Sequence, residues 1–366
     1  MNSKERVTKT FKKEQIDYVP MNYLTNLAID RRLKEHFNLD INDNEGLLQK
    51  LHIDFRNTYY TYKGPRLHPE KEGILVDPAW GIEMKWVKNE FGGYCDYCNF
   101  PLKNATLEYV KNWKCPNPDH YDYEGLLNEC KKYKDYYVTF NNQVDIINGT
   151  GFIMGMENTL AGLALNEEPV LYYIDKHSEI QYEILKKALE TAGEYIDAVW
   201  MGEDLGTQRG PIISPHMFKK HILPKHKKAA ELIKSYNKTI IFHSCGSSSW
   251  AFNDLADIGV DVMDTLQPEA KDMEPKYLLK TYGNKLCFHG MISTAGALAT
   301  GSKEDIRQTV INTLDIMAGN GYALAPTHQI QDNTPVENVI TMYDTCKNYI
   351  ILNGWNYYFA LKNSTQ

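Results

Sequence analysis

Along the chain, short apolar runs alternate with longer stretches whose apolar residues recur every three or four positions. The second half shows this most regularly, in Ala198-Val-Trp-Met-Gly202, Thr239-Ile-Ile-Phe-His243, Val260-Asp-Val-Met-Asp264, Leu286-Cys-Phe-His-Gly290 and Tyr322-Ala-Leu-Ala-Pro326. Each run has the length of a buried strand, and the stretches between them have the period of helices. In the first half, residues 18–22 and 52–56 read as strands, and 27–37, 123–133 and 169–195 as helices. Helix starts are well marked. Ser214-Pro215 sets a capping hydroxyl before a proline at the first helical position. Ser302 opens a helix that runs to a left-handed stop at Gly319-Asn-Gly321. Thr334-Pro-Val-Glu337 has the form of a capping box. Strand and helix in strict alternation imply parallel strands joined by crossover helices.

Residues 60 to about 120 break that rhythm, being rich in Gly, Pro, Trp and Tyr with an alternating segment at 82–87. They predict a β-rich hairpin insertion, part of a lid, in the N-terminal half. With it set aside, roughly eight strand positions remain, and the expected fold is α/β: a single TIM (β/α)8 barrel domain over residues 1–366. No Gly-x-Gly-x-x-Gly follows an early strand, which argues against a dinucleotide-binding sheet.

Composition narrows the classes of function. The 366 residues are 43% hydrophobic and 24% charged, which excludes a disordered or fibrous chain. No run reaches the ~18 apolar residues of a membrane span, and the charged opening Met1-Asn-Ser-Lys-Glu-Arg-Val lacks the apolar core of a secretory signal. The seven cysteines are therefore expected as thiols or metal ligands in a reducing cytoplasm. A net charge of −7 argues against nucleic acid and anionic membranes as partners. A homodimer is compatible with all of this.

In parallel barrels the chemistry sits at the C-terminal ends of the strands. Those ends carry Asn22, Glu203, Asp204, His243, Cys245, Gln267, His289 and His328. In His243-Ser-Cys245 the first and third side chains of an extended segment point the same way, so an imidazole and a thiolate can share one ion. Mixed nitrogen and sulfur ligation suits zinc, with three protein ligands and an open position in catalytic sites. The alternative is a buried cysteine beside a helix-capping loop. A third ligand is expected from His328 or Glu203. Cys95-x-x-Cys98 with Cys115 and His120 allows a zinc knuckle, although its spacing is loose and free thiols fit as well.

These segments resemble the uroporphyrinogen decarboxylase superfamily over nearly the whole chain. The resemblance rests on Lys4-Glu-Arg-Val with Asp17-Tyr-Val-Pro20, Glu203-Asp-Leu-Gly-Thr-Gln208 with Ile213-Ser-Pro215, His243-Ser-Cys-Gly246, Gly259-Val-Asp-Val-Met-Asp264, and Gly321-Tyr-Ala-Leu-Ala-Pro-Thr-His328 with Pro335-Val-Glu-Asn338. It implies a TIM barrel and one of two activities. The true decarboxylases carry an Arg-Gln-Ala-Gly-Arg-Tyr segment near the first strand, which binds substrate carboxylates. Here that stretch is Met21-Asn-Tyr-Leu-Thr-Asn-Leu-Ala28, with no arginine. The methylcobalamin-dependent methyltransferases carry a His-x-Cys…Cys zinc site, whose first two positions are matched by His243 and Cys245. No cysteine lies near residues 320–328, where His328 is the nearest donor.

The expectation is therefore a zinc-dependent corrinoid methyltransferase that moves a methyl group between a small methoxylated or methylated substrate and a corrinoid. The chain has no Asp-x-His-x-x-Gly segment of its own, so a separate corrinoid carrier protein is implied. Zinc would be held by His243 and Cys245 with His328 or Glu203. Glu203 or Asp204 would supply the catalytic proton, and Asn22, Gln208, Gln267 and His289 would bind substrate. With one thiolate fewer than the family pattern, the metal is a stronger Lewis acid, which favours the demethylating direction. The competing expectations are a decarboxylase acting on a different carboxylated substrate and a non-catalytic binding barrel.

Overall fold

The computed structural model describes residues 1–90 and 93–353. Ten strands lie among them: β1 Phe55–Thr58, β2 Leu75–Val76, β3 Glu83–Val87, β4 Tyr94–Tyr97, β5 Tyr137–Gln143, β6 Ala198–Gly202, β7 Thr239–Ser244, β8 Val262–Thr265, β9 Cys287–Ile292 and β10 Tyr322–Pro326. Seven belong to one sheet in the order β1-β5-β6-β7-β8-β9-β10. The pairs β5–β6, β6–β7, β8–β9 and β9–β10 are parallel. The α/β class with parallel strands is thus as the apolar pattern implied. β6 and β9 are buried at every position, which is why they appear in the sequence as apolar runs, interrupted in β9 only by the buried His289, rather than as alternations. The stretch 82–87, which does alternate, forms β3 and pairs antiparallel with β2 and β4 in a separate three-stranded sheet.

Two departures have clear causes. Residues 18–22 do not form a regular strand. Met21 makes a single parallel bridge to Leu324, flanked by Asn22 N–H to the Leu324 carbonyl and Leu324 N–H to the Pro20 carbonyl, each 2.9 Å. Pro20 has no N–H to extend the ladder. Conversely, β5 went unrecognised because its apolar start runs into Asn141-Asn-Gln143. Among the helix caps, Ser214 accepts from Met217 N–H and Ser302 forms a capping box with Asp305. The box expected at Thr334 does not form: the Thr334 hydroxyl is buried without a hydrogen-bond partner ahead of the helix Val336–Asn353.

The chain divides into two compact units. One comprises residues 1–56, 135–137 and those from 262 onward. At its centre Arg6, 4% exposed, holds Asp17 through Nε and Nη2 (2.6 and 2.8 Å) and Asp54 through Nη1 (2.5 Å). Asp54 Oδ2 in turn accepts from Met21 N–H at 3.1 Å. The Arg6…Asp17 signature of the sequence is therefore a structural brace that uses the guanidinium's fixed fork.

The other unit comprises residues 57–134 and 138–261. Its long helix Glu168–Ala192 buries Val170, Tyr173, Ile174, Ile184, Leu185 and Leu189 along one face. The same face carries His177, whose ring lies 4.6 Å from Trp80 and 5.8 Å from Tyr173, centre to centre. A side chain at Gly149 would come within 2.6 Å of that imidazole, so glycine is what lets the helix Ile147–Met154 approach it. None of the seven cysteines is in a disulfide: Cys95 is exposed, Cys115 and Cys245 are half-buried, and Cys98, Cys130, Cys287 and Cys346 are buried. No helix among the described residues is long and apolar enough to cross a membrane.

Burial pushes the His177 imidazole down from 6.5 to about 4. Between those values the unfolded chain binds the proton and the folded one does not, so stability falls as pH falls. The contribution is complete above pH 6.5 and is lost progressively down to about pH 4, some 3 kcal/mol in all. Urea unfolding followed from pH 7 to 4 is expected to show this loss. His177→Leu is expected to lack that part of the slope.

Candidate metal centre

β6 and β7 run side by side in register, Gly202 opposite His243, and both end at the same edge of their unit. There the chain leaves β6 as Glu203-Asp204 and β7 as Ser244-Cys245-Gly246. The two following loops touch backbone to backbone. Ser247 N–H donates to the Thr207 carbonyl at 2.7 Å, and a side chain at Gly246 (φ +68°) would lie 2.4 Å from the Gly206 carbonyl. Only glycine satisfies both the left-handed backbone and that approach.

This contact brings Asp204, His243 and Cys245 together, with one donor atom from each within 4.8 Å of the others. Cys245 Sγ is 3.5 Å from His243 Nε2, and His243 Nε2 is 3.6 Å from Asp204 Oδ1. A tetrahedral ion with bonds of about 2.0 Å to nitrogen and 2.3 Å to sulfur holds those donors roughly 3.5 Å apart. The residues thus have the spacing and the chemistry of a zinc site, one imidazole, one thiol and one carboxylate. Among the described residues they are the sole group of three or more such donors; Cys95, Cys98, Cys115 and His120 do not gather.

Asp204 is held in place by Cys245 N–H on Oδ1 and Asn148 Nδ2 on Oδ2, both 3.1 Å. Burial raises its carboxyl, but the facing imidazole and these donors more than offset that and bring it below the ordinary range. Burial raises the Cys245 thiol, against the pull of His243. Glu203, expected from the sequence as a ligand or proton donor, is engaged elsewhere. Its side chain is wholly buried, with Oε2 accepting from Ile147 N–H at 2.8 Å and Oε1 accepting from Ile146 N–H and facing His226 Nε2 at 3.2 Å. Burial drives His226 down to about 3, leaving it neutral. Burial likewise pushes the Glu203 carboxyl well above its usual range, against the two N–H donors.

One further carboxyl was missed in the sequence because it follows the unrecognised strand β5. Asp145 interacts electrostatically with Glu203, Asp204 and His243, and burial followed by repulsion from the two carboxylates raises it well above the ordinary range. Its Oδ1 is buried with no hydrogen-bond partner. The preceding Val144 has φ +49°, a strained backbone for a β-branched residue.

The remaining expected site residues are distributed as follows. Gln208 lies exposed on the Thr207–Gly210 turn of the same unit. Asn22 and His289 come together in the other unit, each at most 1% exposed. Tyr23 N–H occupies Asn22 Oδ1 (2.8 Å), which turns the amide nitrogen to His289 Nε2 (3.1 Å). Nε2 is then an acceptor, and the imidazole proton lies on Nδ1, facing Asp264 Oδ1 at 2.5 Å. Gln267 follows β8 half-buried, after the left-handed Thr265 and Leu266 (φ +83° and +52°). His328 is exposed just beyond β10.

Strand-end donors on a parallel sheet define an α/β protein with a cluster of metal-capable side chains at the edge where such folds place their chemistry. Residues 146–349, more than half of the sequence, match the uroporphyrinogen decarboxylase (URO-D) family, and the chain belongs to that family. Among solved structures, a methyltransferase from Methanosarcina mazei is similar at 15% identity, with 95% of this chain and 99% of that chain covered and a TM-score of 0.68. At that identity the likeness establishes the fold alone. A B12-independent methionine synthase from Shewanella sp. W3-18-1, in complex with selenomethionine, is far more distant, at 10% identity, 76% and 77% coverage and a TM-score of 0.38. No curated protein matches the sequence.

Glu203→Ala leaves two backbone donors buried without an acceptor. It is expected to destabilise the chain by about 3 kcal/mol in urea unfolding. Glu203→Gln, which keeps one carbonyl acceptor, is expected to lose about half of that.

Proposed function

We propose that the protein is a zinc-dependent methyltransferase of the URO-D family, built on a (β/α)8 barrel with residues 60–120 inserted as a lid. It moves a methyl group between a small methoxylated or methylated substrate and a corrinoid held by a separate carrier protein. The observation that carries this reading is the donor spacing of Asp204, His243 and Cys245. His243 and Cys245 supply the nitrogen and sulfur, and Asp204, held by Asn148 and the Cys245 N–H, supplies the carboxylate. Bound there, zinc supplies Lewis acidity to the heteroatom that carries the methyl group. One thiolate rather than two leaves that acidity high, which favours the demethylating direction. Glu203 acts by fixing the chain at Asp204 rather than by touching substrate. The fold neighbour being itself a methyltransferase supports the reading. Arg6 is committed to Asp17 and Asp54 and Arg56 to Glu45, so these two side chains are not available to a polycarboxylate.

The purified protein is expected to hold about one zinc per chain. Cys245→Ser is expected to weaken binding more than about 100-fold, because it removes charge and a soft donor together. Methyl transfer to cob(I)alamin is expected from the wild type and not from the variant. Full zinc content in Cys245→Ser would refute the site, and release of carbon dioxide from uroporphyrinogen would move the enzyme to the decarboxylase branch. His328 enters the proposal as a further donor on sequence grounds alone. His328→Ala is expected to lower zinc content and activity together, and full retention of both would remove it.

A further inference from the structure

Asn148 lies half-buried in the first turn of the helix Ile147–Met154, between two residues that are each held from outside that helix. On one side, Glu203 Oε2 accepts from Ile147 N–H at 2.8 Å. On the other, Gly149 lies so close to the His177 ring that a Cβ there would come within 2.6 Å of it. The backbone that carries Asn148 is thus fixed from two sides, and its amide reaches Asp204. A carboxylate accepts and does not donate, so the amide nitrogen, not its oxygen, faces Asp204.

The two oxygens of Asp204 then have different duties. Oδ1 accepts from Cys245 N–H at 3.1 Å and lies 3.6 Å from His243 Nε2, within the donor cluster. Oδ2 accepts from Asn148 Nδ2 at 3.1 Å and is held to the helix. Carboxylates bind metal ions through one oxygen or through both. One that uses both occupies a position that catalytic zinc keeps open for substrate. The His243 and Asp204 side chains are 28% and 35% exposed, so the cluster can be reached from solvent.

We propose that Asn148 is a positioning residue that restricts Asp204 to one oxygen on the metal, and so keeps a coordination position free for the substrate heteroatom. This rests on the reading of Asp204, His243 and Cys245 as the zinc ligands. The role is independent of protonation, because an amide does not titrate. Without the amide, Oδ2 is released and the carboxylate closes on the ion as a chelate. The metal stays, and the place beside it is lost.

The test uses the full-length protein loaded with cobalt(II) in place of zinc, and ethanethiol as the probe that enters the free position. Thiolate joining the ion is followed by the growth of sulfur-to-cobalt charge-transfer absorption. The wild type is expected to show this absorption saturating with added thiol. In Asn148→Ala the half-saturating thiol concentration is expected to rise about tenfold or more, with about one cobalt per chain retained. Asn148→Leu keeps the bulk without the donor, is expected to match it, and serves should the alanine variant fold poorly. An unchanged or lower half-saturation in a folded variant overturns the assignment, since a contact that only steadied Asp204 would ease thiol entry once removed. Loss of the cobalt from a folded variant, or no thiol-dependent absorption in the wild type, overturns it as well. Failure of the methyltransferase reading looks different: thiol entry responds as expected while no methyl reaches cob(I)alamin.

Discussion

The geometry at the end of β6 depends on one buried carboxylate. Glu203 accepts from the N–H groups of the cap residue Ile146 and of Ile147, the first residue of the helix Ile147–Met154, and faces a neutral His226 on the helix Leu223–Ser235. These helix-end donors have no partner within their own helix, so the carboxylate satisfies an obligation that every helix start carries. Asp204, the next residue, inherits its position from that attachment. Asn148, in the first turn of the same helix, then closes the loop by holding Asp204 Oδ2. Two adjacent acidic residues thus divide the work: the inner one joins strand to helix, and the outer one faces the imidazole and the thiol.

That division could not be seen in the sequence. Glu203-Asp204 at a strand end looks like a pair of equivalent carboxylates, and which of them faces inward depends on the register between β6 and its neighbours. His243-x-Cys245 was legible because period-two geometry is local: in any extended segment those side chains share a face. The strands themselves were legible where both faces are buried, as in β6, β9 and β10, since burial leaves an apolar run. β5 was not, because its second half is polar, and Asp145 was lost with it. The first-strand segment was overread because Pro20 and its neighbours are apolar without forming a ladder.

The two units satisfy their buried polar groups in different ways. In one, Arg6 pairs two aspartates, and His289 is fixed in a single tautomer between Asp264 and an amide whose orientation is itself set by a backbone N–H. In the other, two backbone amides satisfy the Glu203 carboxyl, and Asp145 is left with an open acceptor. A fully satisfied network specifies one arrangement, whereas an unsatisfied acceptor leaves its surroundings less tightly specified.

The graded burial of the seven thiols has a practical consequence. Cys95, exposed on a strand far in sequence from the cluster, is open to any alkylating reagent, while Cys98, Cys130, Cys287 and Cys346 are sealed inside. Cys245 stands between these extremes, and a thiolate bonded to an ion no longer presents its lone pair to an electrophile. Mass-resolved alkylation therefore offers a chemical clock: Cys95 marks the reagent's arrival, and a lag before Cys245 is labelled that lengthens when zinc is added would measure the residence of the proposed ion.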